Sequence, residues 1–414
     1  MEEHLWTTQE GGFTMTGKTE EIIGLEKAYV LQTYRRPDFV LERGEGVYLF
    51  DSEGKKYLDL ISGIAVNALG YGDSKILEAI QQQAKQLIHV SNLYHTEPHA
   101  RLAQLLVEHS FAQRVFFCNS GTESIEAALK FARKWARLSS NSRKYEFLSF
   151  TGSFHGRTLG ALSTTSKEAY RTPFEPLVPG VRFSTYNDLD SARKSMSDDV
   201  CAVIVEPIQG EGGVNLAERD FLIGLRKLCD QHEALLIFDE VQCGMGRTGH
   251  LWAHEFYGVH PDIMCLAKPL GGGLPIGATL MTGRVAEAIV PGDHGSTFAA
   301  NPIVCNVAQV VFRRVSDHSF LSSVLEKGEQ LESGLKSLQR SFPTVTEIRG
   351  RGLMWGIEMQ ADVRQILRKG QTMGMLMGNS GEHVLRLLPP LTIGQEDITQ
   401  AIDKLHQIFE ELAS

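Results

Sequence analysis

Six short apolar runs constrain this chain more than any other feature: Val115-Phe-Phe-Cys118, Phe147-Leu-Ser-Phe150, Cys201-Ala-Val-Ile-Val205, Leu235-Leu-Ile-Phe238, Ile263-Met-Cys-Leu266 and Ala278-Thr-Leu-Met281. Each is too short for a helix and too continuously apolar for a strand with one wet face. Helical spacing fills stretches between them, at 121–138 and 220–232. Strands that need cover on both faces, alternating with helices, predict an α/β domain around a mostly parallel sheet. Upstream, residues 20–34 read as a short helix, and 47–50, 51–54 and 56–60 as strand, turn and strand. A long helical pattern near 301–338 leads to a mixed C-terminal region with strands near 354–359 and 383–388. The expected organisation is a flexible tail over 1–19, a large domain over 71–314, and a smaller α+β domain shared by 20–70 and 315–414.

Length and charge narrow the function. A chain of 414 residues can hold two or three domains. A net charge of −9 argues against a nucleic-acid surface. Cysteines 118, 201, 229, 243, 265 and 305 form no CxxC pair, and several sit in apolar runs. That suits reduced core thiols in a cytoplasmic protein rather than a zinc ribbon or redox site. No apolar segment approaches the roughly 18 residues of a membrane span. Glu2, Glu3 and Glu10, with no apolar core beside them, exclude a secretory signal in the first twenty residues.

Two glycine patterns mislead. Gly12-Phe-Thr-Met-Thr-Gly17-Lys18-Thr19 matches a nucleotide phosphate loop letter for letter, and Leu235-Leu-Ile-Phe-Asp239 could supply the magnesium aspartate of such an NTPase. That loop must hang from a buried strand, which the polar residues 7–12 cannot make. Gly244-Met-Gly246-Arg-Thr-Gly249 fits the dinucleotide fingerprint, but Asp239 to Cys243 separate it from its strand. The pairs His95/His99 and His250/His254 have metal-ligand spacing without an evident third ligand.

The unusual residues stand at strand ends, where ligands gather in open α/β sheets. Ser120 and Glu123 make a capping box, and the helix start at Gly121 and Thr122 is an anion site, most simply for phosphate. Phe154 could stack on a flat ligand, and Arg157 could fork a carboxylate. Asp239 ends a buried strand and needs a cation or several donors; a protonated ring nitrogen would serve. Lys268 leaves the strand 263–266 into Gly271-Gly-Gly273, costly to bury as an ammonium unless it has work to do.

Ser120-Gly-Thr-Glu, Phe154-His-Gly-Arg, Glu206-Pro-Ile-Gln-Gly-Glu, Asp239-Glu-Val-Gln, Ala267-Lys-Pro-Leu-Gly-Gly-Gly and Ser296-Thr297 form one ordered series. It resembles the class III aminotransferases, pyridoxal-phosphate enzymes of fold type I, over roughly residues 20 to 410. Gly63-Ile-Ala-Val-Asn67, Ser91-Asn-Leu-Tyr94 and Leu385-Arg386-Leu-Leu-Pro-Pro-Leu391 look most like the acetylornithine branch. The resemblance implies that Lys268 carries pyridoxal 5′-phosphate covalently and moves the substrate proton. It implies that Asp239 pairs with the ring nitrogen, Gln242 with the ring oxygen, Phe154 with the ring face, and Ser120, Gly121 and Thr122 with the phosphate. Thr297 would reach the phosphate of a neighbouring subunit in a homodimer with shared sites, and Ser296 the substrate. Arg157 and Arg386 would each take one carboxylate of glutamate. Glu211 would neutralise Arg386 when the amino donor brings only one. The implied reaction passes the terminal amine of N-acetylornithine to 2-oxoglutarate, with ornithine, succinylornithine, N-succinyl-diaminopimelate or a carrier-linked lysine as alternative donors. Two places depart from the family. Gly70-Tyr-Gly-Asp-Ser74 stands where Gly-His-x-His-Pro is usual, and Ala299-Ala300 where two glycines are usual.

Overall fold

The computed structural model describes residues 17–139 and 144–413. Its centre is a seven-stranded sheet in the order Arg114–Cys118, Gly277–Met281, Ile263–Leu266, Leu235–Asp239, Val200–Val205, Glu146–Phe150 and Val181–Ser184. Gly277–Met281 runs antiparallel to both neighbours, and every other pairing within the five strands beyond it is parallel. All six expected strands are present, most of them one residue longer. The edge strand Val181–Ser184 was not foreseen, because it lies against one neighbour only and is half-polar, with Arg182 and Ser184 in four residues.

Side chains of successive strand residues go to opposite covers. Leu235, Ile237, Ile263 and Cys265 pack with Ile125, Ala128 and Ala132 of the helix Gly121–Ser139. Leu236 and Phe238 pack with Phe221, Leu225 and Leu228 of the helix Arg219–Gln231. Met264 and Leu266 meet Val307 and Val311 of the helix Pro302–Val315. Burial on both faces is the physical reason these strands read as unbroken apolar runs.

A separate core joins the two ends of the chain. Val47, Leu58, Leu60 and Ala68 pack with Leu335, Leu385, Leu387, Ile398 and Leu405. Met375–Leu376 pairs in parallel with Lys56–Asp59 beside the hairpin strand Tyr48–Asp51, and a further strand, Leu41–Glu45, extends the hairpin outward. A second small sheet orders Val345–Arg351, Met354–Met359, Val384–Leu387 and Gly378–Ser380.

Several boundaries differ from expectation. The helical pattern near 301–338 is two helices, Pro302–Val315 and His318–Ser341, because Asp317 caps the second by accepting from the Ser319 and Phe320 N–H groups. The first helix spans Gly17–Tyr29 rather than 20–34. Gln32 stops it by donating its amide to the Glu26 and Val30 carbonyls. Gly17, Lys18 and Thr19, expected in the tail, therefore belong to a helix. Lys18 pairs with Glu42 at 2.5 Å, and the buried Thr19 hydroxyl bonds Ser52 and Glu53 at 2.8 Å. Residues 12–16 of the phosphate-loop pattern lie outside the described residues. Among the described residues no helix is long and apolar enough to cross a membrane.

Candidate active site

A cavity of about 420 Å³ opens where the strands end. Asp239, the last residue of its strand and 5% exposed, holds one wall. Its Oδ1 accepts the Val241 N–H at 3.0 Å, and its Oδ2 lies 2.7 Å from His155 Nδ1. A carboxylate only accepts, so Nδ1 is the protonated ring nitrogen of His155. The other ring nitrogen is buried without a partner. Nothing local in the sequence marks His155, because its partner lies 84 residues away.

Lys268 opens the turn Lys268–Gly271 with φ at +23°, a strained value for a residue bearing a Cβ. Gly272 and Gly273 follow with φ of +56° and +108°, and a Cβ on Gly272 would come within 2.9 Å of Ile76 and Val311. The lysine is thus tucked back against the cavity by a turn that only glycines complete. Burial first, then the Arg386 cation, brings its amine down to about 8, against the opposing pull of Glu211, Asp239 and Glu206. A second carboxyl, Glu206, shares the cavity and was not anticipated. It accepts the Phe154 N–H at 3.1 Å and the Gly210 N–H at 3.3 Å. Burial first, then Asp239, holds it well above the usual carboxylate range.

The anion cradle lines the same cavity. Ser120 Oγ accepts the Glu123 N–H at 3.3 Å, and the Glu123 carboxylate accepts the Asn119 N–H at 2.6 Å. The capping box forms with its return bond one residue earlier than the usual pattern. The first N–H groups of the helix have no intrahelical acceptor, which suits them to phosphate oxygens. A Cβ on Gly121 would stand 2.7 Å from Val241 Cγ1, so only glycine lets the cradle close against the Asp239 turn. Thr122 Oγ1 accepts the Arg157 and Thr158 N–H groups at 3.3 Å, tying the cradle to the arginine loop. The exposed Arg157 guanidinium lies 3.7 Å above the Tyr170 ring, a support the sequence did not suggest. Phe154, half-buried, lines the same cavity.

Arg386 comes from the strand Val384–Leu387 and is 3% exposed. Its Nη1 lies 2.6 Å from Glu211 Oε1 and donates to Gln242 Oε1 at 3.3 Å. Arg386 takes the amide oxygen, so Gln242 offers a ligand its NH₂ donors. Nine of the twelve expected site residues therefore line one cavity, Arg386 is bonded to two of them, and two stand apart. Ser296 Oγ accepts from Asn119 Nδ2 at 2.9 Å, and Thr297 is exposed; neither lines the cavity of its own chain. Of the departures, Tyr71 donates its hydroxyl to Asp59 at 2.6 Å, and Ala300 holds φ at +57°, where glycine is at less cost. The His254 ring is engaged by Glu240 at 2.8 Å.

Comparison with known proteins agrees with this geometry. Residues 29–409 match the family model described as aminotransferase class-III. The mitochondrial acetylornithine aminotransferase of Alnus glutinosa is 49% identical, over 96% of this chain and 89% of its own. That of Methanocaldococcus jannaschii is 44% identical, over 95% and 99%. Among solved structures, the ornithine aminotransferase of Toxoplasma gondii ME49 superposes with a TM-score of 0.92 at 31% identity, covering 95% of this chain and 96% of that one. The N-acetylornithine aminotransferase of Stenotrophomonas maltophilia K279a gives 0.81 at 38% identity, covering 94% and 99%. The chain belongs to the class III aminotransferases, fold type I enzymes that depend on pyridoxal 5′-phosphate. The site fits that cofactor: a glycine-closed helix N-terminus for phosphate, a carboxylate backed by histidine for a ring nitrogen, and a lysine amine shifted towards neutrality.

Proposed function

We propose that this chain transfers the terminal amine of N-acetylornithine to 2-oxoglutarate, giving N-acetylglutamate semialdehyde and glutamate. The observation that carries the reading is the Glu211–Arg386 pair, already formed at 2.6 Å beside the lysine. When bound, the cofactor supplies an electron sink for the bond broken at the substrate carbon. Lys268 holds the cofactor and carries the proton to and from that carbon. Asp239, steadied by His155, accepts the ring N–H, and Gln242 donates to the ring oxygen. Phe154 covers the ring face, and Ser120, Gly121 and Thr122 hold the phosphate.

The two arginines divide the substrates. Glutamate brings two carboxylates, one for Arg157 and one for Arg386. The acylated donor, reacting at its far amine, brings one, which goes to Arg157, and Glu211 keeps Arg386 from standing as an unpaired buried cation. The names of the relatives support the acylated donor. Unacylated ornithine is the second reading, favoured by the superposition on the ornithine enzyme. The Glu211→Gln enzyme tests the division by single-turnover kinetics of each half-reaction. The donor half is expected to slow at least tenfold, about 1.4 kcal/mol in transition-state terms, while the glutamate half holds steady or quickens. Equal losses in both halves would make Glu211 structural.

A homodimer with shared sites belongs to the same proposal. Leu93, Tyr94 and Phe298 are 80%, 69% and 66% exposed, and Asn92 ties their two segments by donating to the Ala299 carbonyl at 3.1 Å. This apolar face, with Thr297 and Ser296 in it, is suited to cover a second copy's phosphate cradle. The cytoplasmic assignment is supported by six cysteines that are all free and buried. Division into a cofactor-binding domain over 71–314 and a smaller domain from 20–70 and 315–414 is supported by the core that the two chain ends share.

A further inference from the structure

Glu211 sits at the tip of the short hairpin made by Ile208–Gln209 and Asn215–Leu216. Side chains hold the backbone of that tip at four successive residues. The Gly210 N–H donates to Glu206 at 3.3 Å. The Glu211 carbonyl accepts the Ser380 hydroxyl, the Gly212 carbonyl accepts Asn215 Nδ2 at 2.9 Å, and the Gly213 carbonyl accepts Arg349 Nε at 2.8 Å. Packing closes the remaining space. A Cβ on Gly210 would lie 1.9 Å from Gln242 Oε1, and one on Gly212 2.3 Å from the Gly152 carbonyl.

Two of these holds come from the sheet that carries Arg386. Ser380, 4% exposed, lies on Gly378–Ser380, which pairs with the Arg386 strand in the register Gly378 to Arg386 and Ser380 to Val384. Arg349 lies opposite Gly356, and Gly356 lies opposite Arg386. A Cβ on Gly356 would meet Val214 at 2.9 Å, so the hairpin tip rests directly on that sheet. The backbone of Glu211 and the strand bearing Arg386 are thus one rigid piece. The Glu211 side chain, at 29% exposure, has room that its backbone lacks.

We infer that Ser380 and Arg349 are positioning residues: they fix the backbone of Glu211 against the strand that bears Arg386, and the pairing of Glu211 with Arg386 depends on them. The inference rests on the reading of Glu211 as the partner of Arg386. It explains how one glutamate can leave Arg386 for one substrate and return for the next without loop movement. Each carbonyl it would have to release in a loop movement is held by a separate donor, so the side-chain torsions are the cheaper route.

The test compares Ser380→Ala, Ser380→Thr and Glu211→Gln with the parent holoenzyme, measuring both half-reactions by single-turnover absorbance. Hydrogen exchange of the 207–216 segment is measured in parallel on the cofactor-free chain. Ser380→Ala is expected to lower the ratio of donor to glutamate half-reaction rates at least threefold and to speed exchange in the segment. Ser380→Thr, which keeps the hydroxyl, is expected to restore most of both. If Ser380→Ala slows the two halves equally, its role is ordinary support and the inference falls. An unchanged ratio with unchanged exchange overturns it as well. If Glu211→Gln shifts the ratio while Ser380→Ala does not, the pinning fails alone. If Glu211→Gln leaves the ratio unchanged, it is the switch itself that fails. Should Ser380→Ala yield no folded enzyme, Arg349→Gln removes the Nε bond to Gly213 and carries the same expectation.

Discussion

At the scale of the residue, Lys268 combines three things that isolated lysines lack: a strained backbone, a buried amine and a cation nearby. Lys268→Ala is expected to leave a folded protein with no measurable turnover, because the group that holds the cofactor and carries the proton disappears. Size-exclusion profile and transamination assay check the two halves of that statement. In the cofactor-free chain, the neutral amine is the reactive form. Labelling of Lys268 by a small amine reagent should therefore rise through a midpoint near pH 8, well below the ordinary lysine value of 10.5. Arg386→Met removes a cation that disfavours the charged amine and should move the midpoint up. Site-resolved mass spectrometry reads both. Lys268 and Asp239 were legible in the sequence because a charge at the end of an apolar run needs an explanation. His155 and Tyr170 were not, because each acts on a partner elsewhere in the chain and carries no local anomaly; Glu206 ends the apolar run 201–205 just as Asp239 ends its own, yet only its buried place beside Asp239 gives it a role.

At the scale of the element, the glycine patterns show how the same letters serve different geometry. Gly244-Met-Gly246-Arg-Thr-Gly249 cradles no nucleotide. Cβ atoms on Gly246 and Gly249 would stand 2.6 Å from Val315 and 2.2 Å from Leu325, so these glycines admit neighbouring helices. Between them the fully buried Arg247 donates to the carbonyls of Leu353 and Pro389, stitching the turn after the central sheet to the C-terminal region. Gly249 also holds φ at +82°. Gly249→Ala is expected to cost about 2–4 kcal/mol, from positive φ and overpacking together. Urea denaturation with an unchanged slope would measure it, and a cost below about 0.5 kcal/mol would mean the helix simply moves aside. The strands of the central sheet were legible because burial on two faces leaves a composition that nothing else produces. Val181–Ser184 and Val345–Arg351 were not, since a half-wet edge and a run of alternating charges look like loop. The unbroken helical spacing across 316–317 likewise hid a cap that only Asp317 in place reveals.

At the scale of the whole molecule, the exposed Leu93, Tyr94 and Phe298 make a prediction about assembly. Leu93→Asp is expected to shift sedimentation from dimer to monomer, since covering one such side chain is worth about 1.5–3 kcal/mol and a carboxylate reverses the sign. Activity should fall with the dimer if Thr297 serves the neighbouring site; a fully active monomer would refute shared sites. The core joining the chain's two ends has a consequence in time. Ser62 donates its hydroxyl to the Leu388 carbonyl across 326 residues, and the core that holds Leu58 and Leu60 draws most of its residues from Val324 onward. On a ribosome adding about 5–20 residues each second, the amino-terminal hairpin waits roughly 15 to 65 s for the segment that covers it. During that interval its apolar face is open to other nascent chains. This enzyme should therefore depend on holding chaperones early in synthesis, and slowing translation should lower its yield of native protein.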